Sequence, residues 1–418
     1  MAISCGRQTN LNDHTTSRSE AIRNGEPLRL AILTTHPIQY YAPVFRELDS
    51  RAGMTVGVFY GWNGPCQGEI DRGFGQRVEW DVPLLEGYTH QFLENRAADP
   101  GTHRYNGIDC PNAIKSIEAW SPDAILVYGW RYRSHLAVLR HFHRRRVPIL
   151  FRGDSTLLDE TSRLKSLLRR SMLRWIYRHV DAALYVGTNN RAYFEKHGVD
   201  ESRLFFAPHA VDNDRFEHAT SAESDASAWR AQLGIGERQT AILFVGKLSF
   251  KKAPDLLTQA FAQLADTQTH LIFAGSGPLE PALRANAPTH VHFIGFQNQQ
   301  AMPTVYRLGD LVALPSRGPG ETWGLALNEA MACGRAVLAS DRVGAAVDLI
   351  TPNENGWIVR SHDQPSLLAA LRDAVALGRA RLRAYGDHSS QHIKQWSIPI
   401  QVDGIAQAAH EIVRRDAR

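Results

Sequence analysis

The chain has little cysteine: Cys5, Cys66, Cys110 and Cys333 in 418 residues, with no Cys-x-x-Cys pair. That argues against a disulfide framework or structural zinc, and for a reducing cytoplasm, where the chain is expected to reside. No apolar run approaches the roughly 20 residues that span a bilayer. Residues 1–27 are polar and mixed in charge, without the apolar stretch of a secretory signal, and are expected to form a disordered tail outside the fold. Net charge is only +4, so a bulk electrostatic partner is not indicated. The excess is local: residues 131–180 hold thirteen Lys/Arg against three Asp/Glu. No aromatic stacking platform or recognition motif accompanies that charge, so nucleic acid is not expected as a partner. There is also no sequence repeat between the two halves.

What is present is a rhythm of short apolar runs alternating with helical patterns. A chain of this length exceeds one hydrophobic core and predicts two to three domains. Strands are expected at 28–33, 54–60, 124–128, 148–151, 182–186 and 204–207, and again at 241–245, 270–274, 291–294, 310–314, 336–339 and 356–359. Helices fit between them, so the fold class is α/β, with two Rossmann-like doubly wound domains facing a central cleft. The expected division is 28–211, 212–385, and a helical segment over 386–418, with the polar stretch 212–227 as the boundary. Residues 62–95, rich in Gly and aromatics, read as an insertion or extended loops.

The densest pattern is Pro319-Gly320-Glu321-Thr322-Trp323-Gly324-Leu325-Ala326-Leu327-Asn328-Glu329-Ala330-Met331-Ala332-Cys333-Gly334. Two carboxylates stand eight positions apart, one in a Gly/Pro loop and one in an Ala/Leu-rich helical run. Thr322 reads as the N-cap of a helix over 323–333. Glu329 then falls about two turns in, with the amides of Gly324 and Leu325 forming an anion-seeking helix end between the acids. A carboxylate, an anion site and a second carboxylate in line match the length of a nucleotide sugar. Cys333 reads as a small residue packing on this helix.

Glu-x7-Glu with the following Ala-Met-Ala-Cys-Gly resembles the donor-site signature of the retaining glycosyltransferases of family 4, whose two-domain fold is called GT-B. The resemblance is specific over about residues 240–360 and looser in the N-terminal half. It implies that Glu321 faces the donor sugar and Glu329 the ribose. In Phe244-Val245-Gly246-Lys247-Leu248-Ser249-Phe250-Lys251-Lys252, Gly246 lets backbone approach a ligand, and Lys247 and Lys252 can reach a diphosphate. The family more often has Arg where Lys247 stands. Lys251 reads as a solvated charge. Gly275 and Gly277, in a Gly-x-Gly-Pro turn, resemble the family's second glycine turn, and backbone through Phe296 is expected to hold the base. Asp212-Asn213-Asp214 has the look of an Asp-x-Asp metal motif, but its place in the interdomain turn speaks against that. Lysines and amides replace a metal in the resembled family, so neither metal nor cofactor is expected.

On the acceptor side, Thr34-Thr35-His36-Pro37-Ile38-Gln39-Tyr40-Tyr41 stands where many family members carry a Gly-Gly loop. It resembles a bacterial subgroup with a His-Pro-Ile-Gln-Tyr loop. His36 is a candidate to orient an acceptor or assist proton transfer, the alternative being a histidine bonded into a rigid loop. Asp154 stands where related enzymes have a histidine, and is expected either to act on the reacting sugar or to pair with Arg152. His209 reads as a hinge residue. Arg163, Lys165, Arg169, Arg170, Arg174 and Arg178 share a helix with an expected docking stripe of Leu164, Leu167, Leu168, Met172 and Trp175. Together with Arg144, Arg145 and Arg146 they predict contact between residues 140–178 and an anionic membrane, beside a saccharide or lipid-linked acceptor. The expectation is a metal-independent transferase using a UDP- or GDP-sugar. Open alternatives are a nucleotide-sugar epimerase of similar fold, a glycosidase using the two glutamates, and a non-catalytic sugar-nucleotide sensor.

Overall fold

The computed structural model describes residues 25–416, apart from 65–69, 72–75, 78 and 160–162. Most of the 1–27 tail, Cys5 and Cys66 therefore lie outside the described residues. Thirteen strands form two parallel sheets. In the first, β1 (Leu28–Thr34), β2 (Met54–Tyr60), β3 (Thr89–Phe92), β4 (Ala124–Tyr128), β5 (Ile149–Arg152), β6 (Ala182–Tyr185) and β7 (Leu204–Phe206) run in the order β3-β2-β1-β4-β5-β6-β7. In the second, β8 (Thr240–Val245), β9 (Thr269–Ala274), β10 (Val291–Gly295), β11 (Leu311–Leu314), β12 (Ala336–Ser340) and β13 (Gly356–Val359) run β10-β9-β8-β11-β12-β13. A short antiparallel ladder, Ile70–Asp71 with Gln76–Arg77, lies in the irregular stretch after β2.

The central strands read as continuous apolar runs because helices cover both faces of each sheet. Alternate residues of β1 separate accordingly: Leu28, Leu30 and Ile32 join one buried cluster, Ala31 and Leu33 the other. The first of those clusters also contains Ile398, Val402, Ile405, Ala409 and Ile412 from the helix Ile398–Asp416. The C-terminal helix thus crosses back onto the N-terminal sheet. It comes so close that a Cβ at Gly404 would collide with the Phe206 carbonyl.

Two expectations are corrected, those for the helix after the Gly/Pro loop and for the basic helix. The helix after the Gly/Pro loop is Ala326–Ala332, not 323–333, because Gly324 takes φ +101°, which no helix residue adopts. Thr322 is therefore not its cap. The polar stretch 212–227 is largely helical, as Asn213–Glu217 and Ala222–Gln232. In the basic helix Arg163–Tyr177 the docked face is Leu173, Ile176 and Tyr177, all buried, while Leu168, Met172 and Trp175 are 71%, 42% and 37% exposed. The helix carries two apolar stripes, and spacing alone does not say which one meets the sheet. The side chains of residues 163–167 lie outside the described residues.

Candidate active site

The loops following the strands of each sheet meet at the interface between them. Those after β1, β5, β6 and β7 come from one side, and those after β11 and β12 from the other. Direct bonds cross it: Thr188 Oγ1 donates to Asp348 Oδ1 at 2.6 Å, Asn189 Nδ2 to the Gly344 carbonyl at 2.9 Å, and Asn328 Nδ2 to the His209 carbonyl at 3.0 Å.

On the C-terminal side, two glycine turns interlock. Gly246 and Gly275 adopt φ +139° and +140°, and a Cβ at Gly275 would run into the Gly246 carbonyl. Only glycine permits both the backbone angle and the approach. A Cβ at Gly277 would lie 2.6 Å from the Leu248 carbonyl oxygen. The Leu248 amide in turn donates to the Ser276 carbonyl at 2.9 Å. The Ser276 hydroxyl within this turn is buried without a hydrogen-bond partner among the described residues. Lys247 is half-buried and engaged within the protein, and Phe296 is half-buried directly after β10.

Lys252 links Glu321 to these turns: its Cε would lie 3.8 Å from a Cβ at Gly246, and the Glu321 side chain is 6% exposed. Lys252 Nζ donates to its Oε1 at 2.8 Å, Lys251 Nζ lies 3.7 Å from Oε2, and the Ser316 hydroxyl is 3.4 Å from Oε2. Lys251, 43% exposed, is a solvated charge that also borders Glu321, and it donates to the Gly320 carbonyl at 3.1 Å. The loops are held in register by Arg317, whose guanidinium grips Asp255 at 2.7 and 2.8 Å while its amide donates to the Lys251 carbonyl at 2.7 Å. Burial would raise the Glu321 carboxyl, but Lys252 and then Lys251 outweigh it and hold it below the usual glutamate range.

Glu329, on the helix Ala326–Ala332, is 3% exposed and has no lysine at its oxygens among the described residues. Tyr306 donates to Oε2 at 2.6 Å, and Tyr40, from the loop after β1, donates to Oε1 at 3.1 Å. Burial pushes this carboxyl up, and the tyrosines and the more distant Arg215 and Lys252 only partly compensate.

On the N-terminal side, Asp154 does not pair with Arg152. The Arg152 guanidinium donates to the carbonyls of Ala207 and Pro208. Asp154 Oδ2 instead accepts from Thr322 at 2.6 Å and lies 3.9 Å from His209 Nε2. Burial opposes its ionisation, but His209 and Thr322 prevail and bring the carboxyl down to about 2. His209 is buried, which lowers its imidazole, and its ring lies 5.8 Å from that of Trp323. His36 is held locally, Nδ1 2.9 Å from Thr35 Oγ1 and ring edge-on to Trp62 at 5.5 Å. Asp212 caps the helix Asn213–Glu217 by accepting from the Arg215 amide, and the ligand atoms of Asp214, Glu217 and His218 come within 4.8 Å of one another. Burial pushes the Cys333 thiol up to about 12, fitting a packed residue rather than a nucleophile.

The structure thus brings Glu321, Lys252, Lys251, Gly246 and the glycine turns together, and separately joins Thr322 to Asp154. Sequence reasoning missed Tyr40, Tyr306, Lys251 and Ser276. Of these, Lys251 was within reach, since it adjoins Lys252 in a turn that presents both.

Two family models match the chain: a glycosyl transferase 4-like domain over residues 46–209 and glycosyl transferases group 1 over residues 225–388. The D-inositol 3-phosphate glycosyltransferase of Rhodococcus opacus (strain B4) is 31% identical over 226 residues, covering 51% of this chain and 49% of that protein. The protein of the same name from Mycobacterium sp. (strain KMS) is 32% identical over 198 residues, 45% of this chain and 43% of that protein. The chain spans about half the length of the curated relatives it matches. Sucrose-phosphate synthase from Thermosynechococcus elongatus superposes with a TM-score of 0.72 at 18% identity, over 93% of this chain and 100% of that one. Anabaena Alr3699/HepE in complex with UDP gives 0.68 at 18% identity, over 91% and 99%. These structural likenesses show the fold.

Proposed function

The chain belongs to the family 4 glycosyltransferases of GT-B fold, and from that premise we propose that it moves a sugar from a nucleoside diphosphate sugar to a hydroxyl acceptor with retention of configuration. The observation that carries the reading is the Glu321–Lys252 pair, with Lys252 beside Gly246 of the two interlocked glycine turns. The pair keeps Glu321 ionised, so it can accept hydrogen bonds from sugar hydroxyls. Lys252 has three donors, and its side chain remains 17% exposed, so it can serve the carboxylate and a phosphate together. Lys247, the backbone at Gly246, Gly275, Gly277, Gly324 and Leu325, and the Thr322 segment would complete the diphosphate site without a metal. Phe296 would border the base, and Glu329 would meet the ribose. A protein of the same fold binds UDP-glucose, which makes UDP the first nucleotide to try, with GDP second.

In the transfer step, the acceptor hydroxyl approaches the face that the diphosphate leaves. The new C1–O bond forms as the C1–O(phosphate) bond breaks, and the acceptor proton passes to the leaving phosphate oxygen. The protein's part is positioning and stabilising the charge that develops on the diphosphate. Asp154 and His36 stand on the acceptor side, Asp154 ordered by Thr322. The test is release of nucleoside diphosphate from UDP- and GDP-sugars over saccharide and lipid-linked saccharide acceptors, with the product anomer read by NMR. Retention is expected, and an inverted anomer contradicts the mechanism. Donor consumed without acceptor would instead favour an epimerase.

The acceptor is read as a saccharide or lipid-linked saccharide of surface polysaccharide or glycolipid synthesis, met at the cytoplasmic face of a membrane. Supporting this, Leu168, Met172 and Trp175 form an exposed apolar stripe, and Arg140, Arg144, Arg145, Arg146, Arg174 and Arg178 in the same stretch of chain are exposed. Arg140 lies over the Trp175 ring at 5.7 Å. A cavity of about 390 Å³ next to it is lined by His143, Arg146, Arg178 and Arg203 among others. No helix among the described residues is long and apolar enough to cross a membrane, so such contact would be peripheral. Sedimentation with anionic vesicles, but not with zwitterionic ones, is expected, and Leu168→Asp with Met172→Asp should abolish it. Equal binding to both vesicle types would overturn the electrostatic part.

A further inference from the structure

Glu329 is a buried acid with both oxygens taken, and its two partners differ in origin. Tyr306 is fully buried in the same hydrophobic cluster as the helix that carries Glu329. Tyr40 comes from the other sheet, 289 positions away in the chain, on the loop that follows β1. It is only half-buried, so it is the partner that can be withdrawn toward the cleft. A carboxylate left buried without a donor is costly, which gives Tyr40 a purpose when the cleft is empty. With Glu329 3% exposed, a ribose hydroxyl reaches it only after the Tyr40 phenol has moved.

We propose that Tyr40 is a positioning residue whose hydroxyl holds Glu329 in the empty site and is exchanged for a ribose hydroxyl when the nucleotide binds. The proposal rests on the reading of Glu329 as the ribose acceptor. Nucleotide binding is then a swap of one hydrogen bond for another, so the ribose contributes less affinity than its contact alone would give. The swap also ties the loop after β1, and with it the acceptor side, to occupancy of the donor site. Burial pushes the Tyr40 phenol well above its ordinary value, so the group stays a donor throughout the working range.

The test is a calorimetric titration of wild type, Tyr40→Phe and Glu329→Gln with UDP, GDP and ADP, followed by the 2′-deoxy and 3′-deoxy forms of whichever binds. Tyr40→Phe should bind the ribonucleotide about tenfold more tightly, because no bond is given up. The deoxy form missing the exchanged hydroxyl should gain less, so the ribo/deoxy ratio widens. Thermal unfolding of Tyr40→Phe checks that the fold is intact. Unchanged or weaker ribonucleotide binding, with an unchanged ratio, overturns the exchange. A Glu329→Gln variant that keeps the wild-type ratio refutes the ribose assignment while leaving the donor site standing. Failure of every nucleotide to bind wild type would refute the donor-site reading itself.

Discussion

Glu321 and Glu329 are the same side chain, eight positions apart and both buried, yet their surroundings push the two carboxyls in opposite directions. At the Glu321 end two lysines and a loop pinned by Arg317 hold the carboxyl low. At the Glu329 end two tyrosines supply neutral donors and burial drives the carboxyl up. The difference teaches that an acid can be buried by charge or by exchangeable hydrogen bonds. The first suits a permanent contact beside a leaving diphosphate. The second suits a partner that comes and goes, and among the described residues only this end is reached directly from the opposite sheet by a side chain bonded to the acid.

The largest test of that contrast is Lys252→Ala. It removes the ammonium at 2.8 Å from Glu321 and leaves Lys251 at 3.7 Å as the sole lysine there. Turnover of the donor should fall roughly 10²–10³-fold, the scale of losing one group that stabilises developing charge. A drop below tenfold would remove Lys252 from the chemistry. Next in size, Glu321→Gln and Glu329→Gln should separate in steady-state kinetics. The first should lower kcat, and the second should raise the donor KM about tenfold with kcat little changed. Equal effects on kcat would erase the distinction between the two ends.

A smaller effect is expected in the acid range. A carboxyl raised in the folded state binds its proton earlier, so nucleotide affinity that needs ionised Glu329 should weaken as pH falls toward and below its raised value. The depressed Glu321 contributes stability that is present above the ordinary glutamate value and is lost only as pH falls through its lower folded value. The acid limb of nucleotide affinity should therefore persist in Glu321→Gln and disappear in Glu329→Gln, as read by titration between pH 7 and 4.5. The reverse pattern would exchange the two assignments.

Much of this architecture was legible because it is local. Runs such as Met54–Tyr60 and Ala124–Tyr128 are strands buried from both sides, and that double burial is written in their near-continuous apolar sequence, with Thr55 the one polar position. The glycine turns and the Glu-x7-Glu spacing are likewise local signals. What escaped was set by contacts far apart in the chain. Tyr40 meets Glu329 across 289 positions, and Thr322 meets Asp154 across 168. No spacing rule links such residues, so Thr322 read as a helix cap and Asp154 as facing either the reacting sugar or Arg152. The basic helix shows a different limit. Leu168, Met172 and Trp175 repeat as regularly as any core stripe, and only the packing of Leu173 and Ile176 shows that they face out.

The central claim is that Glu321, Lys252 and the glycine turns form a nucleotide-sugar site, and thermal unfolding tests it most directly. UDP-, GDP- and ADP-sugars would be added in turn to wild type and to Lys252→Ala. The account predicts that one donor raises the Tm of the wild type and leaves that of the variant unchanged. A donor that stabilises both proteins equally, or no donor that stabilises the wild type, would contradict it.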